Sequence, residues 1–194
     1  MVRVLLTDAI GYVGQHCAAE LPRQGYEAAG TNRNPAVAES TRIAIEKVAP
    51  VDRVSIVDVD LLSKTGWDEA TEGCTLILHI ASPFVLAQLM DENEMIITPV
   101  EGTKRVIAAA QQARVKRLVL TSSTFSIIAG NDSDRYGIDV WSDTNANTGA
   151  YAISKTLAKR RLGSCERKRN GTHRRQPWRG FRALSRGGDG WSER

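Results

Sequence analysis

The stretch Val2-Arg3-Val4-Leu5-Leu6-Thr7-Asp8-Ala9-Ile10-Gly11-Tyr12-Val13-Gly14-Gln15-His16-Cys17 decides how the rest of this chain is read. Its first part is a short apolar run interrupted only by Arg3, the pattern of a buried strand. Its second part passes two glycines and enters a helical pattern from about Gly11 to Gln24. A strand that turns tightly into a helix leaves the first helical N–H groups without carbonyl partners, and together with the helix dipole they attract an anion. In a doubly wound sheet the pyrophosphate of a dinucleotide takes that place, and glycine is required where a Cβ would block close approach. Gly11 and Gly14 meet two of the three positions of such a turn. Asp8 holds the third, where its Cβ and its negative charge both oppose a diphosphate, so weakened cofactor affinity is expected. Taken alone, Gly-x-x-Gly fits any strand, turn and helix equally well.

Working outward, strands alternate with helices. Strands are expected over 26–31, 53–58, 74–80 and 117–120, and helices over 36–47, 66–71 and 91–114, the last with Pro99 as a candidate kink. That alternation predicts an α/β chain with a parallel sheet covered on both faces, a Rossmann-like doubly wound fold. No internal repeat is present. The second strand runs into Asn32-Arg33-Asn34-Pro35, beside the expected adenosine ribose. An acidic residue there would bind the free 2′-hydroxyl of NAD, whereas Arg33 offers a cation for the 2′-phosphate of NADP. By itself Arg33 equally fits a solvated loop. His79 lies inside an apolar strand and reads as a packed core histidine rather than a catalytic one. Residues 125–149, rich in Asn, Asp, Ser, Thr and Gly, are expected to loop over a site.

At 194 residues the chain is one domain, short for a cofactor enzyme with its own substrate lobe. It has no apolar run of about 18 residues to span a membrane, and its start lacks the pattern of a signal peptide. Cys17, Cys74 and Cys165 fit neither a disulfide framework nor a zinc site, so no metal and a cytoplasmic location are expected. The net charge of +4 hides a division: residues 1–158 carry 14 Lys and Arg against 19 Asp and Glu, residues 159–194 carry 12 against 3. The two parts need separate explanations.

Tyr151 and Lys155 are four apart at the start of a further helix, so both side chains share one face. They follow the hydroxyl-rich strand end Thr121-Ser122-Ser123-Thr124. A free tyrosine titrates near pH ~10, and a neighbouring cation makes it a useful acid near neutrality. The set suggests carbonyl reduction: Ser123 hydrogen-bonds the carbonyl, Tyr151 donates the proton, and Lys155 favours the tyrosinate while contacting the cofactor ribose. Tyr-x-x-x-Lys alone equally fits an ordinary helix face.

Jointly, Thr7 to Gly14, Gly30 to Pro35, Asp60-Leu61-Leu62, Gly66-Trp67-Asp68, Leu78 to Phe84, Glu92 to Met95, Pro99 to Gly102, Leu120 to Ser123 and Tyr151 to Leu157 resemble the extended short-chain dehydrogenases/reductases. Within them the chain is most similar to the dihydroflavonol reductase-like group, in the NAD-dependent epimerase/dehydratase superfamily. The resemblance covers residues 1 to about 158 and implies an NAD(P)-binding Rossmann domain there. It implies that Gly11, Tyr12, Val13 and Gly14, with Thr7 at the head of the turn, line the pyrophosphate. Arg33 would meet the 2′-phosphate, Asp60 and Leu61 would flank the adenine, and Ala81 and Ser82 would lie along the nicotinamide. Ser123, Tyr151 and Lys155 would be the catalytic set, Ser123 being favoured over Ser122, with Thr124 a helper. The implied cofactor is NADP(H), with NAD(H) also compatible; the implied substrate is a small ketone or aldehyde. Homodimerisation is compatible with the group. Alternatives on the same scaffold are a nucleotide-sugar epimerase or dehydratase and a hydroxysteroid dehydrogenase; a catalytically silent cofactor-binding protein or pseudogene product is an alternative of another class.

Residues 159–194 depart from the resemblance. They lack apolar periodicity and hold ten arginines, a composition that suggests disorder. Nucleic-acid binding through this basic segment is disfavoured, because a slip of the reading frame accounts for the composition. Read one base later, with ordinary codons, Arg160 to Cys165 becomes Ala-Ala-Trp-Asp-Leu, and His173 to Gly187 permits a run with Val-Asn-Pro-Gly at its centre. Both are typical of the group's following helix and sixth strand. The expectation is therefore a frame slip near Ala158 to Arg160. The resulting sheet would lack its sixth strand and the C-terminal substrate lobe, leaving the activity of this chain doubtful.

Overall fold

In a computed structural model of the protein, the structure describes residues 1–47, 49–82, 91–132, 135–137 and 140–172. Five strands, β1 (Arg3–Thr7), β2 (Glu27–Asn32), β3 (Val54–Asp58), β4 (Cys74–His79) and β5 (Arg117–Leu120), form one sheet in the order β3-β2-β1-β4-β5. Every pairing is parallel. The helices are α1 (Tyr12–Arg23), α2 (Pro35–Glu46), α3 (Trp67–Thr71), α4 (Glu92–Gln112), α5 (Phe125–Ile128) and α6 (Ala150–Thr172). Among the described residues no helix is long and apolar enough to cross a membrane.

The apolar run of the opening stretch explains the centre of the sheet. β1 pairs with β2 on one side and β4 on the other, so its side chains are covered on both faces, and Val4, Leu5 and Leu6 are at most 1% exposed. Successive side chains point oppositely along a strand. Leu5 joins Ala29, Ile77, Leu118, Trp67 and Val106 in one cluster, while Leu6 joins Ala9, Ala18 and Ile45 in another. Gly30 admits Ala9 between them, since a Cβ there would lie 2.5 Å from the Ala9 Cβ. The register aligns Thr7 with His79 and His79 with Leu120. The carboxyl ends of β1, β4 and β5 therefore finish side by side at the point where the strand order reverses, where open α/β sheets bind ligands.

Two expectations are corrected. Residues 125–149 do not form a loop throughout: Phe125–Ile128 close a helical turn through the Ser126 and Ile127 amides on the Ser123 and Thr124 carbonyls, burying Ser126 and Ile127. The disorder that composition suggests for residues 159–194 does not hold over their first part, where the helix begun at Ala150 continues to Thr172. Leu162 is 4% exposed in the main core, and Lys159 and Arg160 lie over the Trp141 ring at 4.6 and 5.8 Å. Burial of one leucine and stacking of two cations supply what the apolar pattern lacks. The remainder of the basic segment, residues 173–194, lies outside the described residues.

Candidate active site

The first turn is built as the glycine spacing requires, except at Asp8. A Cβ on Gly14 would sit 1.8 Å from the Asp8 carbonyl oxygen, so α1 approaches the turn as closely as it does only with glycine. Asp8 itself adopts φ 60°, the left-handed region that a residue with a Cβ enters at a cost. A Cβ on Gly11 would lie 2.3 Å from Asp8 Oδ2, which shows where that carboxylate rests: directly over Gly11. Burial raises the Asp8 pKa, opposed by the Arg33 guanidinium and the Gly11 amide. No side chain caps the N-terminus of α1, so its first amides face the cleft, where Tyr12 and Val13 are 83% and 52% exposed. Arg33 is exposed at the end of β2. The Asp8 carboxylate thus meets the Gly11 amide and the field of Arg33, both of which an incoming phosphate would also meet.

Asn32 holds the loop that carries Arg33, a role the sequence reading missed. It is 2% exposed; its side chain accepts the Asn34 amide at 2.7 Å and donates to Asp58 at 3.2 Å, and its carbonyl accepts the Val59 amide at 2.7 Å. An Asn immediately before a turn with Pro three residues later is the available signal. Beyond β3, the Asp60 carboxylate accepts the Leu62 amide at 2.6 Å. Leu61 packs on α4 at Gly102, where a Cβ would meet three Leu61 atoms at 3.1 to 3.3 Å. Asp60 and Leu61 are brought to the same sheet edge as Arg33.

On the other side of β1, Thr7 is fully buried, and its hydroxyl faces β4 rather than the open cleft. Ala81 and Ser82 follow β4 half-buried. Ser82 Oγ is a buried polar atom with no partner among the described residues, oriented into a small cavity shared with Thr103, Thr121, Ser122 and Lys155. An orphaned hydroxyl beside a strand end suits a polar ligand group.

The catalytic candidates lie just after β5 (Ser123) and on the first turns of α6 (Tyr151 and Lys155). Lys155 is 7% exposed, and its Nζ lies 5.7 Å from the centre of the Tyr151 ring, as the four-residue spacing predicts. Burial pushes the Lys155 amine down to about 8. The two adjacent serines are distinguished by hydrogen bonding. Ser126 Oγ donates to the Ser123 carbonyl at 2.7 Å, so its contact with Ser122 Oγ at 3.1 Å is donated by Ser122. Ser123 Oγ accepts the Phe125 amide at 3.2 Å and keeps its proton for another acceptor. The Phe125 ring stands edge-on to Tyr151 at 6.2 Å.

These residues fit a dinucleotide at the open α1 amides and at Ser82; Asp8 is the one that opposes it. A sequence model of the NAD dependent epimerase/dehydratase family matches residues 4–172. The chain belongs to this family. As an epimerase/dehydratase family member it is 36% identical, over 165 residues, to the dihydroflavonol 4-reductase of Hordeum vulgare, an alignment covering 81% of this chain and 47% of that protein. It spans about half the length of the curated relatives it matches. Solved structures that share its fold include the following two. Vestitone reductase from alfalfa (Medicago sativa) superposes with a TM-score of 0.72 at 24% identity, covering 88% of this chain and 54% of its own. Yeast methylglyoxal/isovaleraldehyde reductase complexed with NADPH gives 0.74 at 24%, covering 87% and 54%.

Proposed function

We propose that this epimerase/dehydratase family member is built as an NADP(H)-preferring reductase of a small ketone or aldehyde. The observation that carries the reading is Lys155, packed 5.7 Å from the centre of the Tyr151 ring and lining one small cavity with Ala81, Ser82 and Ser122, the residue before the proton-bearing Ser123. Relatives named as dihydroflavonol 4-reductases, and a fold neighbour complexed with NADPH, support it.

The α1 amides would hold the pyrophosphate, Arg33 the 2′-phosphate, Asp60 and Leu61 the adenine, and Ala81 and Ser82 the nicotinamide side. NADPH held there would supply the hydride that the carbonyl carbon takes up. Ser123 donates a hydrogen bond to the carbonyl oxygen and orients it. Tyr151 then gives its phenolic proton to that oxygen, so hydride and proton together complete the alcohol. The Lys155 ammonium, held close by the helix, favours the tyrosinate left behind. A cytoplasmic location belongs to this reading, and a homodimer is compatible with it.

NADPH titration followed by nicotinamide fluorescence tests the proposal. Binding by the full chain that falls on Arg33→Ala, with turnover of a simple ketone that Tyr151→Phe abolishes, is the expected result. Failure of both the wild type and Asp8→Gly to bind NADPH or NADH would reject it. Asp8 supports one other reading, a silent family member disabled at its first turn: recovery of binding only in Asp8→Gly would select that.

A further inference from the structure

His79 ends β4, is 1% exposed, and has no part in the chemistry above. Both ring nitrogens are engaged: Nδ1 lies 2.9 Å from Thr7 Oγ1 and Nε2 lies 3.2 Å from Thr103 Oγ1 on α4. Thr7 Oγ1 also accepts the Ile80 amide at 3.0 Å and the Ala81 amide at 2.9 Å. With its lone pairs occupied, the Thr7 hydroxyl must direct its proton at Nδ1. Nδ1 therefore accepts, and Nε2 carries the ring hydrogen and donates to Thr103. Burial, followed by the repulsion of the nearby Lys155 ammonium, pushes the His79 pKa down to about 3, which keeps the ring in this neutral form. One imidazole thereby joins the ends of β1 and β4 to α4.

We infer that His79 is a positioning residue for the nicotinamide half of the site: by orienting the Thr7 hydroxyl it sets the backbone of Ile80, Ala81 and Ser82. The inference rests on the dinucleotide reading given above. An apolar residue at 79 would leave the Thr7 proton without its acceptor and Thr103 without its donor. The three residues after β4 would lose their fixed relation to β1, whereas the Arg33 side of the sheet, on β2, would be untouched.

The test separates the two halves of the cofactor. Dissociation constants of NADPH and of 2′,5′-ADP, which lacks the nicotinamide half, are measured on the full chain with wild type, His79→Leu, His79→Asn and Thr7→Val. Hydrogen exchange of the Ile80 and Ala81 amides is followed by NMR in the same proteins. His79→Leu is expected to weaken NADPH about tenfold and 2′,5′-ADP less than about twofold. Thr7→Val should show the same pattern, which keeps the test decisive if His79→Leu does not fold. His79→Asn, whose amide oxygen takes the Thr7 proton, should recover most of the loss. Equal losses for both ligands, or unchanged NADPH affinity, would overturn the positioning role. Unchanged exchange of Ile80 and Ala81 would overturn it even if neither ligand binds to wild type, an outcome that would separately reject the dinucleotide reading.

Discussion

At position 8 a carboxylate rests over Gly11 in left-handed backbone, in the field of Arg33. Asp8→Gly removes both the Cβ and the charge and is expected to tighten NADPH binding by about tenfold or more, read by fluorescence titration. The same group gives a pH signature. A carboxyl whose folded pKa lies above its ordinary 3.8 stabilises the fold below that value and loses the contribution as pH rises through the raised one. Wild type should therefore lose melting temperature relative to Asp8→Asn as pH climbs from 3.8 through the acid range. Parallel curves for the two proteins would contradict the burial of this carboxylate. Lys155 has the opposite sign: its amine falls from 10.5 to about 8, so its contribution is full above 10.5 and is lost as pH drops through about 8. At pH 7 the buried ammonium is a net cost. Lys155→Met is expected to raise stability there by on the order of 1 kcal/mol while abolishing ketone turnover. A Met variant no more stable than wild type at pH 7 would count against that assignment. The spacing of Tyr151 and Lys155 was legible because helix geometry alone puts them on one face. The choice between Ser122 and Ser123 was implied only by family resemblance, and its physical basis is the Ser122–Ser126–Ser123 hydrogen-bond chain.

The elements most plainly written in the sequence are those whose pattern is local. β1 and α1 follow from an apolar run and two glycines, and α2 from Asn34, whose side chain accepts the Ala36 amide ahead of Pro35 at the first turn. α6 is different. Past residue 158 it has neither an apolar stripe nor good composition, and it is held by Leu162 in the core and by cations over Trp141, a residue 18 positions away from Lys159. Leu162→Ala is expected to cost about 2–4 kcal/mol in chemical denaturation. A loss below about 0.5 kcal/mol would mean that the helix beyond Ala158 adds nothing to the core. α5 was missed for a related reason: four residues are too few for periodicity, and the turn is closed by carbonyls of Ser123 and Thr124.

For the whole molecule, an acidic Rossmann portion is followed by an arginine-rich segment, and we propose a frame slip near Ala158 to Arg160 as the reason. Resequencing the locus is expected to find the alternate frame continuous with the family's sixth strand, and the frame-restored chain should reduce ketones faster than the present one. A downstream region with no such reading would remove the idea. By itself the sequence determined the parallel α/β alternation, the position of the glycine turn between β1 and α1 and the shared face of Tyr151 and Lys155, because each follows from spacing within a few residues. Tertiary structure alone decided that Asp8 lies over Gly11 beside Arg33, that Ser123 keeps its proton, and that His79 bridges Thr7 and Thr103. The His79 contacts join residues 24 and 72 positions apart, which the sheet register and the packing of α4 bring within hydrogen-bond distance; the Asp8–Gly11 and Ser123 contacts are local, but they depend on a left-handed turn and a four-residue helix that carry no periodicity.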